Sequence, residues 1–325
     1  MGTEGSFDGS SGRLLIIQIP CLNEEGTLPA TIADLPRTVP GFDRVEWLVI
    51  DDGSSDRTVE VARQLGVDHV VSHGRNRGLA AAYMTGLDHS LRLGAHVIVN
   101  TDADNQYRAD GIPSLTAPVL AGHADMVVGE RPIEEIDEFS RVKKLLQRLG
   151  SRVVRAFSGT DVRDAASGFR SVSREAALRL RVFGRYTYTM ETLVQAGWEG
   201  LRVASVPIGV NPKTRESRLV RSIPRYVFRS ATTIVRTFAL YKPFRFFLVL
   251  GTPFFLIGAV LVGRWIGYFV FSDTYSSRLP SLFFGLGAIL LAMQVWMVAF
   301  VADLMAANRR LANEQLLIQR RAEMR

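Results

Sequence analysis

Two apolar runs, Phe246 to Phe271 and Leu282 to Ala302, set the first limit on what this chain can become. Each is long enough to cross a bilayer hydrocarbon core of ~30 Å as a helix. Ser272 to Pro280 joins them with one arginine, while basic residues, among them Arg309, Arg310, Arg320 and Arg321, crowd the outer flanks. The positive-inside bias then places both termini in the cytoplasm and the short loop outside, as in an integral plasma or inner-membrane protein. Arg264 falls within the first run and either snorkels outward or pairs within a homo-oligomer, so the oligomeric state stays open.

The chain of 325 residues carries a formal charge of +7. Between Lys213 and Arg245 nine basic residues stand against Glu216 alone, a local balance of +8, which leaves the rest close to neutral. A basic band directly before apolar spans points to membrane lipids and not to nucleic acid. Arg221, Arg225 and Arg229 recur every four residues, as on one face of an amphipathic helix in the headgroup layer. The single cysteine, Cys21, excludes an internal disulfide framework and suits a reducing compartment. Met1 to Gly12 is rich in Gly and Ser and reads as a disordered tail with no signal peptide.

The first half of the chain has a different rhythm. Leu14 to Ile19 reads as a strand closed by Pro20, and further strand-like runs follow at Val45–Ile50, Val67–Val71, Val97–Val99 and Asp125–Val128. Helical patterns lie between them, at Leu28–Leu35, Thr58–Leu65, Leu79–Leu93 and Ile112–Ala121, with Asp56 or Ser55 placed to cap the second. Such alternation implies a mostly parallel sheet covered on both faces. Three strands end on acids: Asp51 and Asp52, Asp102 and Asp104, and Glu130. That rim of an open α/β sheet is where nucleotides bind. No Gly-x-Gly-x-x-Gly follows the first strand and no Gly-x-x-x-x-Gly-Lys-Ser/Thr occurs, which disfavours a dinucleotide dehydrogenase and a P-loop NTPase.

The stretch Thr101-Asp102-Ala103-Asp104-Asn105-Gln106 carries the sharpest chemistry. Alternate residues of an extended tip face the same way, so Asp102, Asp104 and Gln106 can reach one cation. Oxygen ligands suit a hard divalent ion, Mg or Mn, that also holds a diphosphate. Arg131, a guanidinium at a strand end, suits a diphosphate or lipid phosphate.

Pro20-x-x-Asn23-Glu24, Asp51-Asp52-Gly53-Ser54-x-Asp56-x-Thr58, Asn76-x-Gly78 and Asp102-x-Asp104, in this order, resemble the inverting family 2 glycosyltransferases with a GT-A fold. Asp104-x-Gln106, Gly129-x-Arg131, Asp164-x-x-Ser167-Gly168-Phe169-Arg170, Glu191, Val206-Pro207 and Arg215-x-Ser217-Arg218 extend the likeness. The longer set is similar to the dolichyl- and polyprenyl-phosphate sugar synthases. This resemblance implies that Pro20, Asn23, Glu24, Asp51, Asp52, Asn76, Gly78, Asp102 and Ala103 line the nucleotide-sugar site, with Asp52 and the Pro20–Glu25 loop on base and ribose. It further implies that Asp104 and Arg131 serve the departing diphosphate and that Asp164 lies near the acceptor. A phosphate nucleophile is already ionised at neutral pH, so Asp164 either orients or deprotonates. Ser167, Arg170, Arg215, Ser217 and Arg218 are expected to hold the phosphates of lipid and donor. Ala165-Ala166 and the absent glycine before Ser217 depart from the usual pattern.

The expected organisation is a tail at 1–12, a GT-A domain at 13–218, interfacial helices at 219–243, two transmembrane helices within 244–306 and a cytoplasmic tail at 307–325. The expected reaction moves one sugar, with inversion, from a nucleotide diphosphate sugar to a polyprenyl phosphate. A processive polysaccharide synthase is the nearest rival, but Gln-x-x-Arg-Trp is absent and two spans make a poor tunnel. A non-catalytic membrane adaptor on the same fold is the other.

Overall fold

The computed structural model describes residues 12–132, 150–152, 154–155, 158–182, 188–212, 232, 235–236, 239, 242–271 and 279–324. Contacts divide the chain into two units, Met1–Ala231 with Arg320–Arg325, and Thr232–Gln319.

The first unit is built on β1 (Leu14–Cys21), α1 (Leu28–Asp34), β2 (Arg44–Asp51), α2 (Thr58–Gln64), β3 (His69–Ser72), α3 (Leu79–Arg92), β4 (Val97–Asn100), α4 (Ile112–Leu120), β5 (Met126–Glu130), β6 (Arg170–Ser173), α5 (Arg174–Arg179), α6 (Thr189–Trp198) and β7 (Val203–Pro207). They form one seven-stranded sheet in the order β3-β2-β1-β4-β6-β5-β7. All eight residues of β1 are buried, as a central strand covered on both faces requires. Leu15, Ile17, Ile19, Val49, Val97, Val99, Leu115, Val127 and Phe169 meet in the core. Each such aliphatic or aromatic side chain contributes about 1.5–3 kcal/mol through burial.

Pro20 does not end β1. It pairs with Ile50 in the parallel register with β2, while β4 pairs with β1 only as far as Gln18. The proline ring, which has no N–H to give, therefore sits where one side of the ladder has already stopped.

One strand runs against the rest. β6 is antiparallel to both neighbours, with Asn100 opposite Arg170 on β4 and Val128 opposite Arg170 on β5. A reversed strand begins at the rim where its neighbours end. Residues 164–169, which lead into β6, are thereby delivered beside the C-terminal tips of β4 and β5.

The second unit holds α7 (Pro243–Phe271) and most of α8 (Leu279–Glu323). By length and composition both helices can cross a membrane. They pack through small residues: Gly251 lies under Trp296, and Gly258 meets Gly285 and Ile289. The Trp296 indole N–H donates to the Leu248 carbonyl at 3.3 Å. Outward-facing residues such as Val249, Leu256, Val260, Phe284, Met297 and Phe300 are exposed and apolar, as lipid-facing positions are. The second apolar run and the polar tail read from sequence form one helix of 45 residues. Arg141–Phe157, a stretch rich in Arg and Leu that reads from sequence as a further helix, falls mostly outside the described residues. Arg215, Ser217, Arg218, Arg221, Arg225 and Arg229 fall wholly outside them.

Candidate active site

Two loops at the tips of β1 and β2 are locked together by hydrogen bonds. Asn23 adopts a left-handed backbone (φ 56°), which a short amide side chain tolerates. Its side-chain oxygen accepts the Ser55 N–H at 2.8 Å, and Ser54 Oγ accepts the Asn23 N–H at 2.9 Å. Glu24, buried, donates its N–H to Thr58 Oγ1 at 2.8 Å, while its carboxylate accepts from the Thr27 hydroxyl. Asp56 accepts from the Thr58 N–H at 3.1 Å, but the N-cap position of α2 falls on Arg57, whose side chain makes no capping bond, and not on Asp56 or Ser55. Asp51 accepts from the Ser54 N–H at 3.0 Å, and its main-chain carbonyl accepts from the His73 N–H at 2.8 Å.

Asp52, expected on base or ribose, has three partners within the protein. Its Oδ1 accepts from the Arg77 N–H at 2.9 Å and lies 2.8 Å from His73 Nδ1. Its Oδ2 accepts from the Gly78 N–H at 2.8 Å. A buried carboxylate with three protein partners is a loop-holding group. His73 is held in turn by Thr85 Oγ1 at 3.0 Å. Gly53 (φ +80°) fits closely beneath this loop, since a Cβ would stand 2.6 Å from the Arg75 carbonyl carbon. Gly78 is tied to this loop through its backbone N–H.

Asp102, Asp104 and Gln106 follow β4 at the same rim and are each half-buried. Ala103 is buried, and its carbonyl accepts from the Thr31 hydroxyl at 2.9 Å, which ties the acidic loop to α1. Asn105 is left-handed (φ 53°), and the Gln106 N–H returns to Asp104 Oδ1 at 3.3 Å. The loop is pinned from outside by Asn211, whose side chain donates to the Asn105 carbonyl at 3.0 Å and whose N–H donates to the Gln106 carbonyl at 2.9 Å. Loss of water around the Asp102 carboxyl, reinforced by the Asp104 carboxylate, pushes its pKa up to about 7, against the pull of Arg131 and Tyr107. A carboxyl whose proton affinity a neighbouring carboxylate raises fits a cation, which relieves the repulsion. Among the described residues no group of three or more His, Cys, Asp or Glu side chains is placed to hold a metal ion. Two carboxylates with an amide still fit Mg or Mn, because such ions take their remaining oxygens from water and substrate phosphates.

Arg131 and Asp164 form one unit. Arg131 Nε lies 2.7 Å from Asp164 Oδ2 and its Nη2 lies 3.0 Å from Oδ1, a bidentate pair in which the Asp164 side chain is fully buried and that of Arg131 is 13% exposed. The carboxylate is committed to a guanidinium, which favours the orienting alternative for Asp164 over a proton acceptor. Arg170 is corrected more fully. Its expected phosphate contact is not available, because the side chain is buried and its donors are used on the carbonyls of Ser167 (2.8 Å), Ala165 (2.9 Å) and Thr189 (2.7 Å) and on Thr192 Oγ1 (2.8 Å). It fastens the 164–168 loop to the first turn of α6. Ser167 is buried too, with a hydroxyl that finds no partner among the described residues. Glu191 is buried on α6 and is not an exposed helix acid.

Sequence reasoning passed over Asn100, Tyr107 and Tyr188. The Asn100 amide donates to the Gly168 carbonyl at 2.9 Å and to the Tyr188 hydroxyl at 2.8 Å, while its oxygen accepts from Gln18 at 2.9 Å. Tyr188 stacks on Tyr83 with ring centroids 3.8 Å apart. Only the position of Tyr107, directly after Gln106, hinted at a role.

A mostly parallel sheet with acids and an arginine gathered at its C-terminal rim has the ligand crevice of an open α/β domain, and its fold is GT-A-like. The chain belongs to glycosyl transferase family 2, whose model matches residues 16–181. It is 30% identical over 207 residues to polyprenol monophosphomannose synthase of Mycolicibacterium smegmatis, covering 60% of this chain and 76% of that protein. It is 30% identical over 206 residues to undecaprenyl-phosphate mannosyltransferase of Micrococcus luteus, covering 60% and 82%. Glucosyl-3-phosphoglycerate synthase from Mycobacterium tuberculosis, solved with Mn2+, UDP and product, shares the fold with a TM-score of 0.55 at 23% identity, over 70% of this chain and 79% of that one.

Proposed function

We propose that this glycosyltransferase moves a single sugar, with inversion, from a nucleotide diphosphate sugar to a polyprenyl phosphate at the cytoplasmic face of a membrane. The observation that carries the reading is the convergence of Asp102, Asp104 and the Arg131–Asp164 pair at one rim, through the reversed strand β6. The two mannosyl-transferring relatives, named for polyprenol and undecaprenyl phosphate, agree with such an acceptor, and α7 and α8 supply a means of staying at the membrane where it resides.

Asp102 and Asp104, with Gln106 beside them, would hold Mg or Mn, an ion of the kind present in the glucosyl-3-phosphoglycerate synthase structure. When bound, such an ion supplies Lewis-acid stabilisation to a departing diphosphate. The locked loops carrying Pro20, Asn23, Glu24, Asp51, Asn76 and Gly78 shape the pocket for the nucleotide, and Asp52 acts by holding the Arg77–Gly78 turn in place. Arg131, oriented by Asp164, presents positive charge where negative charge grows on the leaving oxygens. The acceptor phosphate is already anionic and attacks without a strong base, which agrees with an Asp164 committed to Arg131. Arg215, Ser217 and Arg218, which lie outside the described residues, are assigned to the phosphates by the resemblance of their motif alone.

The test is transfer of radiolabel into the organic phase by purified full-length protein given Mg or Mn, a polyprenyl phosphate and a panel of nucleotide sugars, beside Asp104→Ala. Label that requires both the ion and Asp104 is the expected result. Donor binding that persists with no transfer to any polyprenyl phosphate would overturn the acceptor assignment.

A further inference from the structure

Three carbonyls of the acidic loop are spent on donors from distant parts of the chain. Ala103 accepts from the Thr31 hydroxyl at 2.9 Å, Asn105 from the Asn211 side chain at 3.0 Å and Gln106 from the Asn211 N–H at 2.9 Å. One residue thus holds both carbonyls at the bend of the loop. The bend needs holding, because Asn105 is left-handed (φ 53°), a shape that costs a residue with a side chain something, and Asn less than most. The segment carrying Asn211 is itself fastened to the far end of the loop, by the Tyr107–Val210 bridge and by the Arg108 N–H on the Gly209 carbonyl at 3.3 Å. Pro212 confines the residue before it to extended backbone. Tyr107 is anchored in turn, with its ring stacked on Phe169 at 5.1 Å between centroids and its hydroxyl accepting the Gly168 N–H at 3.0 Å.

We infer that Asn211 is a positioning residue for the divalent-cation site: its side-chain amide holds the left-handed bend at Asn105 and thereby sets Asp104 and Gln106, on either side of the bend, for the ion. The inference rests on the reading of Asp102, Asp104 and Gln106 as cation ligands. It deepens the proposed function by giving the cation site a support beyond β7, outside the acidic loop itself. A hydrogen bond of this kind biases an equilibrium by roughly two- to tenfold. A loop that spends time in other shapes binds its ion more weakly, by the competent fraction it loses. Asn105 and Asn211 are both half-buried, so water replaces the donor when the Asn211 side chain is removed, and no buried group is stranded.

The experiment is a Mn2+ titration of full-length protein in detergent, read by the loss of the free-ion paramagnetic resonance signal. Native protein, Asn211→Ala, Asn211→His and Asp104→Ala are compared. Histidine restores a ring N–H at the same bond count from the main chain as the asparagine amide. Asn211→Ala is expected to weaken Mn2+ binding about three- to tenfold, and Asn211→His to return it to within about twofold of native. Native affinity in Asn211→Ala, with binding lost in Asp104→Ala, would overturn the positioning role while leaving the cation site standing. Native affinity in all three variants would overturn the cation site itself, and this inference with it. Equal weakening in Asn211→Ala and Asn211→His would also overturn it, because the donated hydrogen bond would then not be the cause.

Discussion

Asp164→Ala is the perturbation with the most to say about this site. It removes the fully buried partner of Arg131 and leaves a guanidinium, itself only 13% exposed, without its bidentate carboxylate. Breaking a buried ion pair from one side costs about 3–5 kcal/mol. In a unit of this size each kcal/mol lowers the unfolding midpoint by roughly 2–4 °C, so a fall of roughly 6–20 °C is expected. The companion variant Arg131→Met with Asp164→Leu removes both charges, and it should recover much of that loss, since a buried pair is often replaceable by apolar residues of similar volume. Thermal unfolding of the metal-free protein in detergent reads both. An Asp164→Ala midpoint within ~4 °C of native, about 1 kcal/mol, would refute the buried pair. So would a double variant no more stable than the single one. Transfer rates supply the second arm. A proton-accepting role would be worth about 10²–10⁴-fold and would be lost in Asp164→Asn independently of Arg131. An orienting role predicts that Asp164→Asn and Arg131→Gln lose similar factors and that the double variant loses little more than either.

Three further outcomes follow from the same geometry. Gly168→Ala places a Cβ 2.9 Å from the Tyr188 hydroxyl and 3.2 Å from Asp102, and overpacking of this kind costs about 1–3 kcal/mol, measurable as a lowered midpoint together with weaker Mn2+ binding. Asp52→Ala strands the N–H groups of Arg77 and Gly78 and the His73 ring, and roughly 1–3 kcal/mol per unsatisfied buried group should appear as faster amide exchange across residues 73–78 and weaker nucleotide binding. Because the Asp102 carboxyl titrates at about 7, raised above its ordinary value, the metal-free folded protein keeps a proton that the unfolded chain has lost. Its stability should therefore fall as pH rises through that range, and Asp102→Asn should flatten the slope.

The parts of this fold written in single stretches of sequence were the legible ones. β1, β2 and β4 are short apolar runs because they are buried on both faces, and their acidic tips could be placed at the rim before any coordinates. β6 was not legible: Arg-Ser-Val-Ser has neither an apolar run nor alternation, and it belongs in the sheet only because Asn100 and Val128 lie on either side. The resemblance put Arg170 on a phosphate, and what draws its side chain inward is a set of acceptors that includes Thr189 and Thr192, about twenty residues further on. Asp52 looked free because His73, Arg77 and Gly78 come close only after β3 has paired with β2. Tyr107 carries no motif, and its significance depends on Gly168, which lies 61 residues away.

The reversal of β6 has a consequence for how such an enzyme can change. Had the strand run with its neighbours, the 164–169 loop would emerge at the opposite edge, and the residues for donor and acceptor could diverge as separate modules. Here Asn100 faces Arg170 in the ladder, Asn100 grips Gly168, and a Cβ at Gly168 would stand 3.2 Å from Asp102. An exchange of the 164–169 loop alone disturbs the acids two residues past β4, so a graft that keeps their geometry must carry residues 100–107 and 164–170 together, as one inherited piece.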